Sequence, residues 1–366
     1  MNEGIYMKIQ LNSKAILTDL NPTTRQAVKR YLTIPNPAYQ EAVKQNRYTG
    51  KLPRELFFFA EEKDGLVCPR GCVEHLARLC EQHRESIEWV DERRTLDHVK
   101  FSFAGELRPL QRQVVGGVLS RGHGLLESPT GSGKTIQGLY LIAERKQPAL
   151  IIVHTKELLN QWTDRIETFL GIPRADIGII GGCKFSIGSR ITVGTVQSLY
   201  KRVDDVVPHI GHIVIDECHR APSRMFTEVV GAFDARYRLG LTATPWRRDG
   251  LSKVIFWTVG DVTGRIDKAD LVEQGNLCKA QVRWIHTEFR PLLDASAEYS
   301  KALSELAEAE PRNRLIARTV SENNGHGVSL ILSDRKAHCD ALKDKYMVKN
   351  NFLLRKRDCK FLTDIC

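Results

Sequence analysis

The chain has 366 residues, a formal net charge of +10 and a pI near 9.1, which predicts two or three domains with ample core and suits a polyanionic partner such as nucleic acid. No apolar run reaches membrane-spanning length and the start, MNEGIYMKIQ, lacks the layout of a secretory signal, so a cytoplasmic location without membrane contact is expected. Nine scattered cysteines, an odd number, read as reduced thiols.

Residues 1–105 differ in texture from the remainder of the chain, with clustered prolines and basic residues, and are expected to form a small α+β accessory domain. The alternation in MKIQLNSKAIL predicts one strand and Leu56 to Ala60 another. Tyr39, Tyr48, Phe57, Phe58 and Phe59, set among basic residues, fit a nucleic-acid platform, and core packing explains the Phe run at least as well. Cys68, Cys72, His75, Cys80 and His83 have a spacing that matches no common structural zinc pattern. A helix through GCVEHLARLCEQH explains them instead, with Cys72, Val73, Leu76, Leu79 and Cys80 on one apolar face and His75 and Arg78 off it.

At Leu107 a regular alternation of strands and helices begins. LRPLQRQVVGGVLSRG predicts a helix with Pro109 near its first position and Gln111 one turn in. The short apolar runs GLLE (124–127), PALIIVHT (148–155), DIGIIGG (176–182), RITVGT (190–195), HIVIDE (212–217) and YRLGLTAT (237–244) come next, separated by connections long enough for crossovers. The fold class is therefore α/β, a parallel sheet flanked by helices on both faces.

Residues 128–135 read SPTGSGKT, between the strand GLLE and the helical pattern IQGLYLIAE. A strand, a glycine turn and a helix start together make a polyphosphate cradle. Gly131 and Gly133 let backbone N–H groups approach the anion, Pro129, Thr130 and Ser132 complete the loop, and the helix dipole adds positive potential. Lys134 would reach the β- and γ-phosphates of ATP and the Thr135 hydroxyl would ligate Mg²⁺. The strict pattern GxxxxGK[ST] fails at its first position, Ser128. HIVIDECHRAP supplies the second half: a strand delivers Asp216, to hold Mg²⁺, and Glu217, to orient and activate the attacking water. The plain alternative for that stretch is a strand ending in an acidic turn.

LRPLQ, SPTGSGKT, HTKELLNQW, GTVQSL, DECH and GLTATPWRRDG occur in the order and spacing of helicase superfamily 2, of the DEAD/DEAH type. The chain resembles the XPB-type DNA repair helicases and related phage and mobile-element enzymes over residues 107–345. The resemblance implies a RecA-like ATPase lobe of the P-loop NTPase class over 106–265, and an ATP-dependent motor acting on DNA, with RNA or an RNA–DNA hybrid as other substrates. It implies that Gln111 reads the adenine edge, that Thr155, Lys156, Thr195, Gln197 and Ser198 grip the nucleic-acid strand, and that His219, Thr242, Ala243 and Thr244 couple hydrolysis to that grip. Helix capping and turns account for Thr155 and Thr195 equally well. XPB-type enzymes carry Arg-Glu-Asp after the TAT motif; here Arg247, Arg248 and Asp249 stand there, and the extra base favours phosphate contact.

Residues 266–366 resemble part of a second RecA-like lobe. AQVRWIHTEF alternates like a strand, SAEYSKALSELAEAEPRNRLIARTVSEN is helical with a break at Pro311, and GVSLILSDRKAHCDALKDKY predicts a strand and a helix. The stretch MVKNNFLLRKRDCKFLTDIC has no clear periodicity, and the family's last motif, QxxGRxxR with its arginine finger, is absent. An incomplete second lobe is therefore expected, from an interrupted reading frame or with the rest supplied by a second chain, and with it weak ATP hydrolysis. Two further readings remain: a nucleic-acid-binding module that uses ATP as a conformational ligand, and the motor part of a restriction or defence complex.

Overall fold

The computed structural model describes residues 6–63, 65–220, 223–247, 249–292, 298–323 and 330–343. They fall into two units, residues 1–279 and 280–366.

The first unit opens with β1 (Met7–Leu11), β2 (Lys14–Thr18), α1 (Pro22–Tyr31), β3 (Thr33–Pro35), α2 (Pro37–Lys44), β4 (Glu55–Phe57), β5 (Ala60–Glu62), β6 (Gly65–Pro69), α3 (Val73–Gln82) and β7 (Ile87–Asp91). The run MKIQLNSKAIL is not one strand. It folds back at Asn12–Ser13, so that β1 and β2 pair antiparallel. Five strands form a sheet in the order β5-β6-β2-β1-β7, while β3 and β4 make a separate ribbon. The expected strand at Leu56 to Ala60 is thus divided between two sheets. Phe58 and Phe59 pack against the core, as the packing reading has it, and Phe57 is exposed. The amphipathic pattern of α3 is realised, with Val73, Leu76, Ala77 and Cys80 buried. His75, off that face, stacks on Tyr31 at 4.0 Å. Cys68, Cys72 and Cys80 lie in the core, where burial pushes the thiols of Cys68 and Cys80 up to about 12. Among the described residues Cys68, Cys72, Cys80, Cys183, Cys218 and Cys278 are free thiols.

The larger sheet is built from β8 (His123–Glu127), β9 (Ala149–Val153), β10 (Gly178–Gly181), β11 (Lys184–Phe185), β12 (Ile191–Thr195), β13 (His212–Ile215), β14 (Tyr237–Thr242) and β15 (Val262–Arg265). Their order is β11-β10-β12-β9-β13-β14-β8-β15, parallel except for β11. The helices are α4 (Pro109–Leu119), α5 (Lys134–Arg145), α6 (Lys156–Leu170), α7 (Val196–Tyr200), α8 (Val203–Val206), α9 (Arg224–Ala232), α10 (Ser252–Val259) and α11 (Lys268–Glu273). Along β9, Ala149, Ile151 and Val153 face the layer of α4, α5 and α6, and Leu150 and Ile152 face that of α7 to α10. Burial on both faces is why these strands read as continuous apolar runs. The two edge strands, β11 and β15, were not expected from the sequence.

The small sheet is locked to the large one. Val254 and Trp257 of α10 complete its core, and Tyr31 and Phe58 contact the Trp257 ring. Arg70 is fully buried at this junction, where burial and then Arg238 depress its pKa, and its Nη1 donates to the Asn12 carbonyl at 3.0 Å. A Cβ on Gly71 would stand 2.6 Å from the Phe256 carbonyl oxygen and 2.7 Å from the Gly260 nitrogen. Backbone atoms cannot yield cheaply, so Gly71→Ala is expected to cost about 1–3 kcal/mol, read as a lower midpoint in urea. An unchanged midpoint would mean that α10 does not press on this turn.

Three histidines of this unit, His123 and His212 buried and His154 half-buried, are held neutral. Burial first, then neighbouring positive charge, lowers His123 to about 3 and His154 to about 4, and places His212 well below its ordinary value. An unfolded chain takes up these protons near pH 6.5, and the folded chain does so only far lower. Their contribution to stability is complete above about pH 6.5 and is lost as pH falls towards the folded values. Moving from pH 7.5 to 5.5 should cost about 1 kcal/mol per histidine. Melting temperature at constant ionic strength reads the sum, and an acid-insensitive melt would contradict it.

The second unit contains α12 (Tyr299–Glu308), α13 (Glu310–Glu322) and α14 (Lys336–Ala341). The helical break falls at Ala309, just before Pro311 in the first turn of α13. AQVRWIHTEF, residues 280–289, is not a strand, and neither are residues 330–335 of SLILSDR. Val282 and Trp284 are exposed. Alternation alone does not make a strand where no neighbour among the described residues takes up the ladder hydrogen bonds. Ser329 and the stretch from 347 onward lie outside the described residues. Among the described residues no helix is long and apolar enough to cross a membrane.

Candidate active site

The carboxyl ends of β8, β14, β13, β9 and β12 lie side by side and carry, in that order, Ser128, Thr242 to Thr244, Asp216 with Glu217, Thr155 with Lys156, and Thr195 with Gln197 and Ser198. All the strand-borne candidates therefore occupy one edge of one sheet, where ligands bind in open α/β sheets. β14 separates the two halves of the expected phosphate site, which are about 10 Å apart at two strand spacings.

The loop after β8 is braced from within. Gly131 and Gly133 have φ of +85° and +82°, left-handed values that a side chain would strain. Ser128 and Ser132 are buried, and the Ser128 hydroxyl bonds that of Ser132 at 2.5 Å. The residue that breaks the strict motif thus staples the loop, and its backbone needs no glycine. Gln111 Nε2 donates to the Ser132 carbonyl at 2.7 Å and Gln111 Oε1 accepts from the Arg108 N–H at 2.9 Å. Both ends of its amide are engaged, one in capping α4 and one in bracing the loop; one N–H and one lone pair remain. Pro129 accepts the Ser132 N–H at 3.1 Å, Thr130 is exposed, and Lys134 and Thr135 open α5.

Lys134 Nζ donates to the Ser128 carbonyl at 3.1 Å, and its charge acts on both Asp216 and Glu217. Burial pushes the Asp216 carboxyl above its ordinary range, against the opposing Trp162 hydrogen bond and Lys134 charge. Asp216 Oδ2 accepts from Trp162 Nε1 at 2.8 Å and Oδ1 from the Glu217 N–H at 3.0 Å. Glu217 sits at φ +47°. Burial alone would raise it, but the His219 hydrogen bond, then Lys134, outweigh this and hold it below the ordinary carboxylate value. The two neighbouring acids are thus driven apart.

His219 Nδ1 lies 3.1 Å from both Glu217 Oε2 and Thr242 Oγ1. The Thr242 hydroxyl donates to the Thr244 carbonyl and accepts from its N–H at 3.1 and 3.2 Å, turning the backbone through half-buried Ala243. Arg247 donates to the His219 carbonyl at 2.6 Å and pairs with Asp249. Arg248 lies outside the described residues. At the far end of the row, Thr155 caps α6 through the Leu158 N–H at 3.2 Å and the Thr195 hydroxyl bonds that of Ser198 at 3.0 Å, while Lys156 and Gln197 are exposed. The capping reading of Thr155 is realised. Sequence reasoning missed Trp162, whose partner is 54 positions away, and the ion pair of Arg265 with Glu127 at 2.7 Å, which ties β15 beside the loop. Among the described residues no group of three or more His, Cys, Asp or Glu side chains could hold a metal.

This architecture is that of a RecA-like lobe, a parallel sheet carrying a glycine loop and an acidic pair on strand ends two places apart. Residues 104–247 match the family described as type III restriction enzyme, res subunit. The chain is similar to the superfamily 2 helicases of XPB type. It is 38% identical over 160 residues to the DNA 3'-5' translocase XPB2 of Sulfurisphaera tokodaii, covering 44% of this chain and 36% of that protein. It is 28% identical over 252 residues to the DNA 3'-5' helicase XPB of Kineococcus radiotolerans, covering 64% and 45%. The chain thus spans about a third to a half of the length of these relatives. Among solved structures, the UvsW helicase of bacteriophage T4 superposes with a TM-score of 0.56 at 18% identity, over 71% of this chain and all of that one, a likeness of fold.

Proposed function

We propose that this chain is an ATP-dependent DNA helicase or translocase of superfamily 2, in which the loop at 128–135 binds ATP and the lobe couples hydrolysis to movement on DNA. The observation that carries this reading is that the glycine loop after β8 and the acidic pair after β13, far apart in the chain, leave the same edge of one parallel sheet two strands apart. Lys134 binds the β- and γ-phosphates, using N–H groups beyond the one it gives to Ser128. The Gly131 and Gly133 turns aim backbone N–H groups at the same phosphates, and Pro129, Thr130 and Ser132 shape the rim. Gln111 holds the loop in register and offers its remaining donor and acceptor to the adenine edge.

The Thr135 hydroxyl and the Asp216 carboxylate form a hard oxygen donor set that suits Mg²⁺. A cation there also relieves the cost of the buried carboxylate. When bound, the metal neutralises charge on the β- and γ-phosphate oxygens. Glu217, ionised at neutral pH, orients the attacking water and accepts its proton. His219 passes the state of Glu217 to Thr242, Ala243 and Thr244, and through its carbonyl to Arg247. Arg247, Arg248, Thr155, Lys156, Thr195, Gln197 and Ser198 contact phosphates of the DNA strand, which positions without reading sequence. The free thiols fit a reducing, cytoplasmic setting.

Single-turnover hydrolysis of ATP, with and without DNA, tests the reading and is sensitive to slow rates. DNA is expected to accelerate hydrolysis. DNA affinity that changes with ATP while no ATP is consumed would favour a nucleic-acid module switched by ATP instead.

A further inference from the structure

Trp162 stands inside α6, the helix whose first turn carries Thr155 and Lys156, and is itself buried. Its indole Nε1 donates to Asp216 Oδ2 at 2.8 Å. The opposite edge of the ring lies over α5: a Cβ on Gly138 would stand 3.2 Å from Trp162 Cη2. Gly138 is one helical turn beyond Lys134. One side chain therefore touches the carboxylate of one half of the site and the helix bearing the other half, from a third element. With Oδ1 engaged by the Glu217 N–H at 3.0 Å, the two bonds fix both the position and the rotation of the Asp216 carboxylate.

We propose that Trp162 is a positioning residue for Asp216: its N–H sets the carboxylate to receive the divalent cation that accompanies the nucleotide, and it links that carboxylate to the strand-contacting end of α6. This rests on the reading of Asp216 as the metal-directed carboxylate. Outer hydrogen-bond partners of metal-ligating groups are worth about 10–100-fold in metal affinity.

The test is the Mn²⁺ concentration needed for half-maximal binding of a fluorescent ADP by the whole chain, beside ADP binding in EDTA. Trp162→Phe keeps an aromatic ring and removes the donor. It is expected to raise the Mn²⁺ requirement by about 10-fold or more and to leave metal-free ADP binding unchanged, because the glycine loop and Lys134 are intact. Trp162→His, which retains a ring N–H, should lie closer to the parent chain and provides the comparison if the Phe variant folds poorly. An unchanged Mn²⁺ requirement in folded Trp162→Phe, or equal loss of metal-free and metal-dependent binding, overturns the proposal. Asp216→Asn separates the two layers. If it raises the requirement and Trp162→Phe does not, only the role of Trp162 fails; if Asp216→Asn also has no effect, the reading of the site fails with it.

Discussion

Glu217→Gln is expected to slow single-turnover ATP hydrolysis by about 10²–10⁴-fold while Mg·ATP affinity stays within about threefold of the parent chain, since no phosphate ligand is lost. The substitution keeps side-chain length and suits the same left-handed backbone at φ +47°, so its effect is to remove the capacity to take a proton. It also replaces the anion that His219 Nδ1 approaches at 3.1 Å. The link from Glu217 through His219 to Thr242 should weaken at the same time, and the dependence of ATP affinity on DNA should fall with it. A variant that hydrolyses ATP at the parent rate would assign the proton acceptor elsewhere.

Lys134→Ala has the other large expected effect, and a different signature. The ammonium is the side-chain cation that binds the β- and γ-phosphates in the proposed complex, so its loss should weaken Mg·ATP binding and lower hydrolysis by about 10²–10³-fold. Removing it also frees the Ser128 carbonyl, which it holds at 3.1 Å. The loop does not depend on that bond alone. The hydroxyl pair of Ser128 and Ser132 and the two glutamines that donate to the Ser132 carbonyl remain, Gln111 at 2.7 Å and Gln137 at 3.3 Å. Melting temperature should therefore change little while binding collapses, which separates a ligand effect from a folding effect. Equal loss of stability and binding would make Lys134 a loop strut.

The central strands were legible because each is buried on both faces, so its sequence is a short apolar run bounded by turn residues. The pairing order was not, because neighbours such as β14 and β8 lie far apart in the chain and only their register joins them. In the N-terminal sheet, MKIQLNSKAIL hid a tight reversal at Asn12, where the side-chain oxygen accepts the Lys14 N–H at 3.0 Å and closes the turn. AQVRWIHTEF carried the opposite error, with an alternation that no adjacent strand among the described residues uses. At the site, the loop and the acidic pair are local motifs and could be read directly. The Trp162 bond to Asp216 and the two-sided engagement of Gln111 depend on contacts between distant segments, which no local pattern records. Ser128 departs from the strict motif, and its hydroxyl closes the loop through Ser132.

Binding of Mn²⁺, followed by its free electron-paramagnetic signal with and without ATP, addresses the convergence of Lys134, Asp216 and Glu217 most directly. One Mn²⁺ should be taken up per chain when ATP is present, with uptake lost in both Lys134→Ala and Asp216→Asn and retained in Glu217→Gln. Uptake unaffected by either of the first two substitutions would place metal and nucleotide away from this edge of the sheet.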